Sequence, residues 1–129
     1  MRFLKIFGLM LALHAVAWIA MHSYLSANPR EVLIVVDTSY SMKENFPKVD
    51  QWIDDYQTGS RYQSVQIGTD KAALGELSDL SSRDVIFRTS FGKLAEDNLS
   101  RLYSTVRADR KLLLTNSPVE PDGWEVVSF

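Results

Sequence analysis

The segment that most constrains this chain is "EVLIVVDTSYSM", residues 31–42. Residues 32–36 are all apolar, and four of the five are β-branched. A strand with one face in water alternates apolar and polar side chains. This one does not alternate, which predicts a strand covered on both faces, as inside a parallel sheet with helices above and below. It ends in Asp37, with the hydroxyls of Thr38, Ser39 and Ser41 close behind. Those hydroxyls would serve either to cap a following helix or, with the carboxylate, to form part of a hard-cation site.

The rest of the chain supplies partners for that strand. Phe46, Val49, Ile53 and Tyr56 fall at helical spacing and predict a helix over 45–57, with Pro47 in its first turn. "RYQSVQI", 61–67, reads as a second, less apolar strand nearer the sheet edge. Residues 68–84 read as a mixed connection with one turn of helix over 72–77, and "VIF", 85–87, as a very short strand. Ala95, Leu99, Leu102 and Val106 predict a helix from Ser90 to Arg107, closed by Asp109 and Arg110. "KLLLT", 111–115, is another buried-type strand, and a Pro-Asp-Gly turn leads to a last strand, "WEVVSF". Trp52 and Trp124 are expected in core or edge packing, Asp54 and Asp55 in solvent, and Thr69 and Asp70 in a loop. The alternation predicts a mainly parallel, Rossmann-like open α/β sheet flanked by helices over residues 28–129. Ligands of such sheets bind outside the carboxyl ends of the strands, where the strand order reverses. Asp37 and Asn116 both follow strands and are expected on that rim.

Residues 1–27 are different in kind. Arg2 and Lys5 precede the run "IFGLMLALHAVAWIAM", broken only by Gly8 and His14, and no acidic residue occurs there. This is the pattern of an export signal or a membrane anchor. Cleavage near Ala27 would put Leu25 where a small residue is preferred, so an uncleaved anchor is the favoured reading, with a secreted domain or a buried core helix as alternatives. The expected arrangement is a single pass through residues 6–25, Arg2 and Lys5 cytoplasmic and the domain extracytoplasmic, in the periplasm of a bacterium.

All 16 acidic residues but only 12 of the 14 basic ones lie beyond residue 27, a formal charge of −4 for that part. This lacks the basic footprint of a nucleic-acid binder. There is no cysteine, which excludes thiol catalysis, thiolate metal sites and disulfides. His14 and His22 are the only histidines and both lie in the apolar segment, so a Ser-His-Asp hydrolase is a poor fit.

"VLIVVDTSYSM" resembles the first motif, Asp-x-Ser-x-Ser, of von Willebrand factor type A domains, where it forms the metal-ion-dependent adhesion site. Thr89, in "RTSFGKLAEDNLSRL", matches the family's threonine before a central helix; as a plain helix N-cap, Thr89 or Ser90 would look the same. Asn116, in "LLLTNSP", stands where the family has its second aspartate, a departure that removes one negative charge. The resemblance implies a binding module, not an enzyme. Asp37, Ser39, Ser41, Thr89 and Asn116 would surround Mg²⁺ (or Mn²⁺ or Ca²⁺), and an acidic side chain of a protein partner would complete the shell. A domain of the same type without metal, acting in assembly, is the alternative. "LIVVDTSYS" and "LLLTN" also resemble haloacid-dehalogenase-like phosphotransferases, but Ser39 replaces the second acid of their first motif.

Overall fold

A computed structural model of the chain describes residues 1–129. The strand expected from residues 31–36 is β1, Arg30–Val36. It is joined by β2 (Gln63–Thr69), β3 (Ala73–Glu76), β4 (Arg110–Thr115) and β5 (Glu125–Ser128) in the order β3-β2-β1-β4-β5. β1 pairs parallel with both β2 and β4, β4 pairs parallel with β5, and only the edge strand β3 is antiparallel. The sheet therefore grows from β1 in one direction through β2 and β3. It then resumes on the other side of β1 with β4 and β5, so strand order reverses between β1 and β4.

The unbroken apolar run is explained by what covers it. Val32, Ile34 and Val36 face one core, with Met42, Val49, Ile53, Ile67, Ile86 and Leu114. Val49 and Ile53 come from helix α2, Phe46–Gly59, which starts next to Pro47 as the sequence implies. Leu33 and Val35 face a second core with Leu113 and with Leu99 and Tyr103 of helix α3, Glu96–Tyr103. The five apolar side chains of β1, residues 32–36, are at most 1% exposed. An α/β domain with helices on both faces of a mostly parallel sheet follows.

Several elements differ from expectation. Residues 72–77 do not form a helical turn: Ala73–Glu76 pair with β2, and the 3₁₀ turn comes after, at Leu77–Asp79. β2 thus lies one strand in from the edge, nearer it than β1, as its lower apolarity implies. "VIF" lies in a 3₁₀ helix, Arg83–Phe87, held by two acids of α2, with Asp50 and Asp54 each 2.8 Å from the Arg83 guanidinium. α3 is much shorter than 90–107, because residues 90–95 run across the Asp37 loop instead, and Arg110 starts β4 instead of closing a helix. The side chain that anchors α3 is Tyr103, four residues after Leu99. Its hydroxyl donates to the carbonyls of Thr69 and Ala72 above Gly68. A Cβ on Gly68 would run into that phenol, with its Cζ at 2.9 Å. Burial, with the charge of Asp70 adding to it, raises the Tyr103 hydroxyl above the ordinary tyrosine range.

The apolar N-terminal segment is one helix, α1, Arg2–Ala27, with no buried residue and a mean hydropathy of 1.9 over its best 18-residue window. It is not a core helix of the α/β domain. At about 1.5 Å per residue its 26 residues measure about 39 Å, long and apolar enough to span a membrane or to serve as a signal sequence. Its last turns touch the domain through His22, which stacks on Trp18 and is hydrogen-bonded to the Tyr62 hydroxyl.

Candidate functional site

The carboxyl ends of β1, β2 and β4 meet at the reversal point, and two carboxylates are buried there. Asp37, directly after β1, is 0% exposed. Its Oδ1 accepts the Ser39 N–H at 2.8 Å and its Oδ2 accepts the Thr115 hydroxyl at 2.6 Å. The Asp37 N–H donates to the Leu114 carbonyl, continuing the β1–β4 ladder one residue past the strand. No basic side chain forms a salt bridge with it; the four in the chain lie elsewhere. Buried charge of this kind persists only because both oxygens are hydrogen-bonded.

Asp70, directly after β2, is 1% exposed. Its Oδ1 accepts both the N–H and the hydroxyl of Thr38, at 2.9 and 2.7 Å. Lys71 Nζ neutralises it from 2.9 Å and lies 4.7 Å from the centre of the Phe91 ring. Asp70 was expected in an ordinary loop. Its role shows only once β2 is laid beside β1, which sets Thr38 and Asp70 next to each other across 32 residues of sequence.

Between the loop after Asp37 and the end of β4, three neutral oxygens form a row. Ser39 Oγ lies 3.1 Å from Ser41 Oγ, and Ser41 Oγ lies 3.1 Å from Asn116 Oδ1. Asn116 Nδ2 returns a bond to the Ser41 carbonyl at 3.0 Å. Neither serine caps a helix: the 3₁₀ turn Tyr40–Asn45 and α2 both begin without a side-chain cap. The capping alternative for the hydroxyl-rich loop therefore fails: the two serines face each other, and Ser41 faces Asn116.

Thr89 is not in the cluster. It is exposed and makes no hydrogen bond to the loop; its neighbour Ser90 does, donating to the Ser39 carbonyl at 3.2 Å. Neither caps α3, whose N-cap position is Ala95. The chain leaves the 3₁₀ helix at Phe87 and lies extended across the Asp37 loop, tied by Phe91 N–H to the Thr38 carbonyl and Tyr40 N–H to the Gly92 carbonyl, both at 3.1 Å. Gly92 has a φ of +68°, a turn that favours glycine. Beyond residue 27, Tyr40 and Phe91 are the only exposed large hydrophobic side chains, at 70% and 58%. They project from these two joined loops. No sequence pattern had marked either of them.

The donor set can be tested against Mg²⁺. Every candidate ligand is an oxygen, as a hard cation requires, and adjacent ligands of an octahedral Mg²⁺ lie about 3 Å apart, close to the two 3.1 Å spacings. No cluster of three His, Asp or Glu side chains exists anywhere in the chain, so an ion here would depend on hydroxyls, an amide and the single charge of Asp37. The residues fit a weakly held hard cation. No family model, no curated protein and no solved structure matches the chain.

Proposed function

We propose that this chain is a membrane-anchored binding module of von Willebrand A type that engages a protein partner at its carboxyl rim through a Mg²⁺-dependent site. One observation carries the reading: a row of three neutral oxygens is built from the loop that follows a buried carboxylate which no basic side chain neutralises. Ser39, Ser41 and Asn116 would supply neutral ligands and Asp37 the negative charge. An ion so held keeps most of its charge and supplies a Lewis-acidic position for an acidic side chain of the partner. Tyr40 and Phe91 beside it are exposed aromatic side chains of the kind that protein interfaces favour. The strand order, with an antiparallel edge strand and helices on both faces, supports the Rossmann-like reading. The length and apolarity of α1 support the anchor.

The test is calorimetric titration of the full-length chain, in neutral detergent, with Mg²⁺ and Mn²⁺. Saturable millimolar binding that disappears in Asp37→Ala and Ser41→Ala is expected. Absence of saturable binding in the unaltered chain would sink the cation site.

A second reading rests on a specific observation. Both Asp37 oxygens and both ends of the Asn116 amide already have protein partners, so the loop is closed without an ion. In that case the rim binds its partner by packing on Tyr40 and Phe91. Identical thermal transitions with Mg²⁺ and with a chelator would favour it.

A further inference from the structure

The opposite edge of the sheet carries a second site. Here the amino ends of β1, β2 and β4 meet the last turn of α1 around a groove of about 640 Å³. Arg30, Arg61 and Arg110 line it against one acid, Asp109, and Leu25 of α1 forms part of its wall. Arg110 is held by Glu125, whose carboxyl it keeps below the usual range. Asp109 is engaged as well, accepting the Glu31 N–H at 3.0 Å. Arg30 and Arg61 have no salt bridge and no side-chain hydrogen bond, so two guanidinium groups at the groove are free.

The backbone between them is fixed in an unusual way. Tyr62 is the only non-glycine residue with positive φ, at 56°. A side chain in that region is strained, and it persists only where its surroundings hold it. Here the Tyr62 carbonyl accepts the Arg30 N–H at 2.8 Å, and its hydroxyl is bonded to His22 of α1. The strained residue thus couples Arg30, Arg61 and the helix end into one rigid corner.

The height of that corner identifies the ligand. With residues 6–25 of α1 spanning a hydrocarbon core of about 30 Å, Asn28 and Arg30 follow within a few residues, which puts the groove in the headgroup layer. Guanidinium groups bind phosphate oxygens bidentately. We propose that the Arg30–Arg61–Arg110 groove seats the phosphate of an anionic phospholipid headgroup from the bilayer that α1 spans. This rests on α1 being an uncleaved anchor. Docking this edge on the membrane turns the carboxyl rim away from it, about 20 Å further out along the seven residues of β1, where a partner can reach Tyr40 and Phe91.

The full-length chain in neutral detergent micelles is titrated with phosphatidylglycerol, with phosphatidylcholine and with inorganic phosphate, reading the thermal transition, and its intact mass is measured. Two free arginines are expected to confer about a thirtyfold preference for phosphatidylglycerol over phosphatidylcholine. The preference is expected to weaken with added salt, to vanish in R30Q/R61Q, and to survive in R30K/R61K and in R107Q outside the groove. Circular dichroism establishes that R30Q/R61Q folds; should it not, loss of the preference in R30Q and R61Q singly is expected instead. A full-length mass with no preference for phosphatidylglycerol would overturn the headgroup seat alone, as would equal stabilisation by inorganic phosphate. A chain beginning at Asn28 would overturn the anchor and the seat with it.

Discussion

Asp37 and Asp70 end neighbouring parallel strands, are equally buried, and are held in opposite ways. Asp70 has a cation, Lys71, and two bonds from Thr38. Asp37 has only a backbone N–H and a neutral hydroxyl. The first arrangement is complete in itself and locks the start of the loop to β2. The second leaves the carboxylate without a basic partner, in the same loop as Ser39 and Ser41. Two carboxylates that look alike along the sequence therefore differ in that one is paired with a basic side chain and the other is held by neutral donors alone.

Substitutions can break or sharpen that contrast. Asp70→Ala leaves Lys71 and Thr38 without their partner, and is expected to lower stability by about 3 kcal/mol in chemical denaturation. It should leave the Mg²⁺ response intact in whatever fraction folds. Asp37→Asn is expected to do the reverse, with little loss of stability and no Mg²⁺ response. If the two variants behave alike, the division fails. Gly68→Ala, which forces the Tyr103 phenol away from the Asp70 end of β2, is expected to cost about 2 kcal/mol in the same assay, since overpacking typically costs 1–3. Asn116→Asp adds one negative charge to the oxygen row and is expected to tighten Mg²⁺ about tenfold, about 1.4 kcal/mol, by calorimetry.

The smallest effect concerns Tyr103. Tyr103→Phe removes one hydrogen-bond donor from the Thr69 and Ala72 carbonyls and is expected to cost about 1 kcal/mol at neutral pH. Because the folded state raises this hydroxyl above its ordinary value of 10.0, the unfolded chain ionises first. Stability is complete below that pH and falls as pH rises through the tyrosine range. The variant is expected to lose that alkaline decline, so its stability should approach that of the unaltered chain at high pH. An unchanged alkaline limb would show that Tyr103 does not titrate as its burial requires.

Much of this was legible in the residues. The unalternating strand before Asp37, helix α2 with its proline, the strand before Asn116 and the apolar first segment all appear where pattern put them, because hydrophobic period and run length leave a one-dimensional trace. The short edge strand Ala73–Glu76 and the true extent of α3 left none. "ALGE" has no strand periodicity and exists as a strand only because β2 offers it hydrogen bonds. Residues 90–95 carry a helical pattern that their bonds to the Asp37 loop override. Ser90 in place of Thr89 follows from the same cause, since the side chain that reaches the loop depends on how the extended segment crosses it.

By itself, then, the sequence determined that Asp37 ends a central strand, that Ser39, Ser41 and Asn116 share its rim, and that residues 2–27 are too apolar for a soluble surface. These are consequences of hydrophobic period and chain direction, which are local properties. Only the tertiary structure decided that Lys71 serves Asp70 and not Asp37, that Tyr40 and Phe91 stand together, and that Arg30, Arg61 and Arg110 meet at the end of α1. The last two join residues far apart in the chain, and the first depends on which strand end Asp70 and Lys71 are brought beside; proximity of that kind is set by strand order, not by composition.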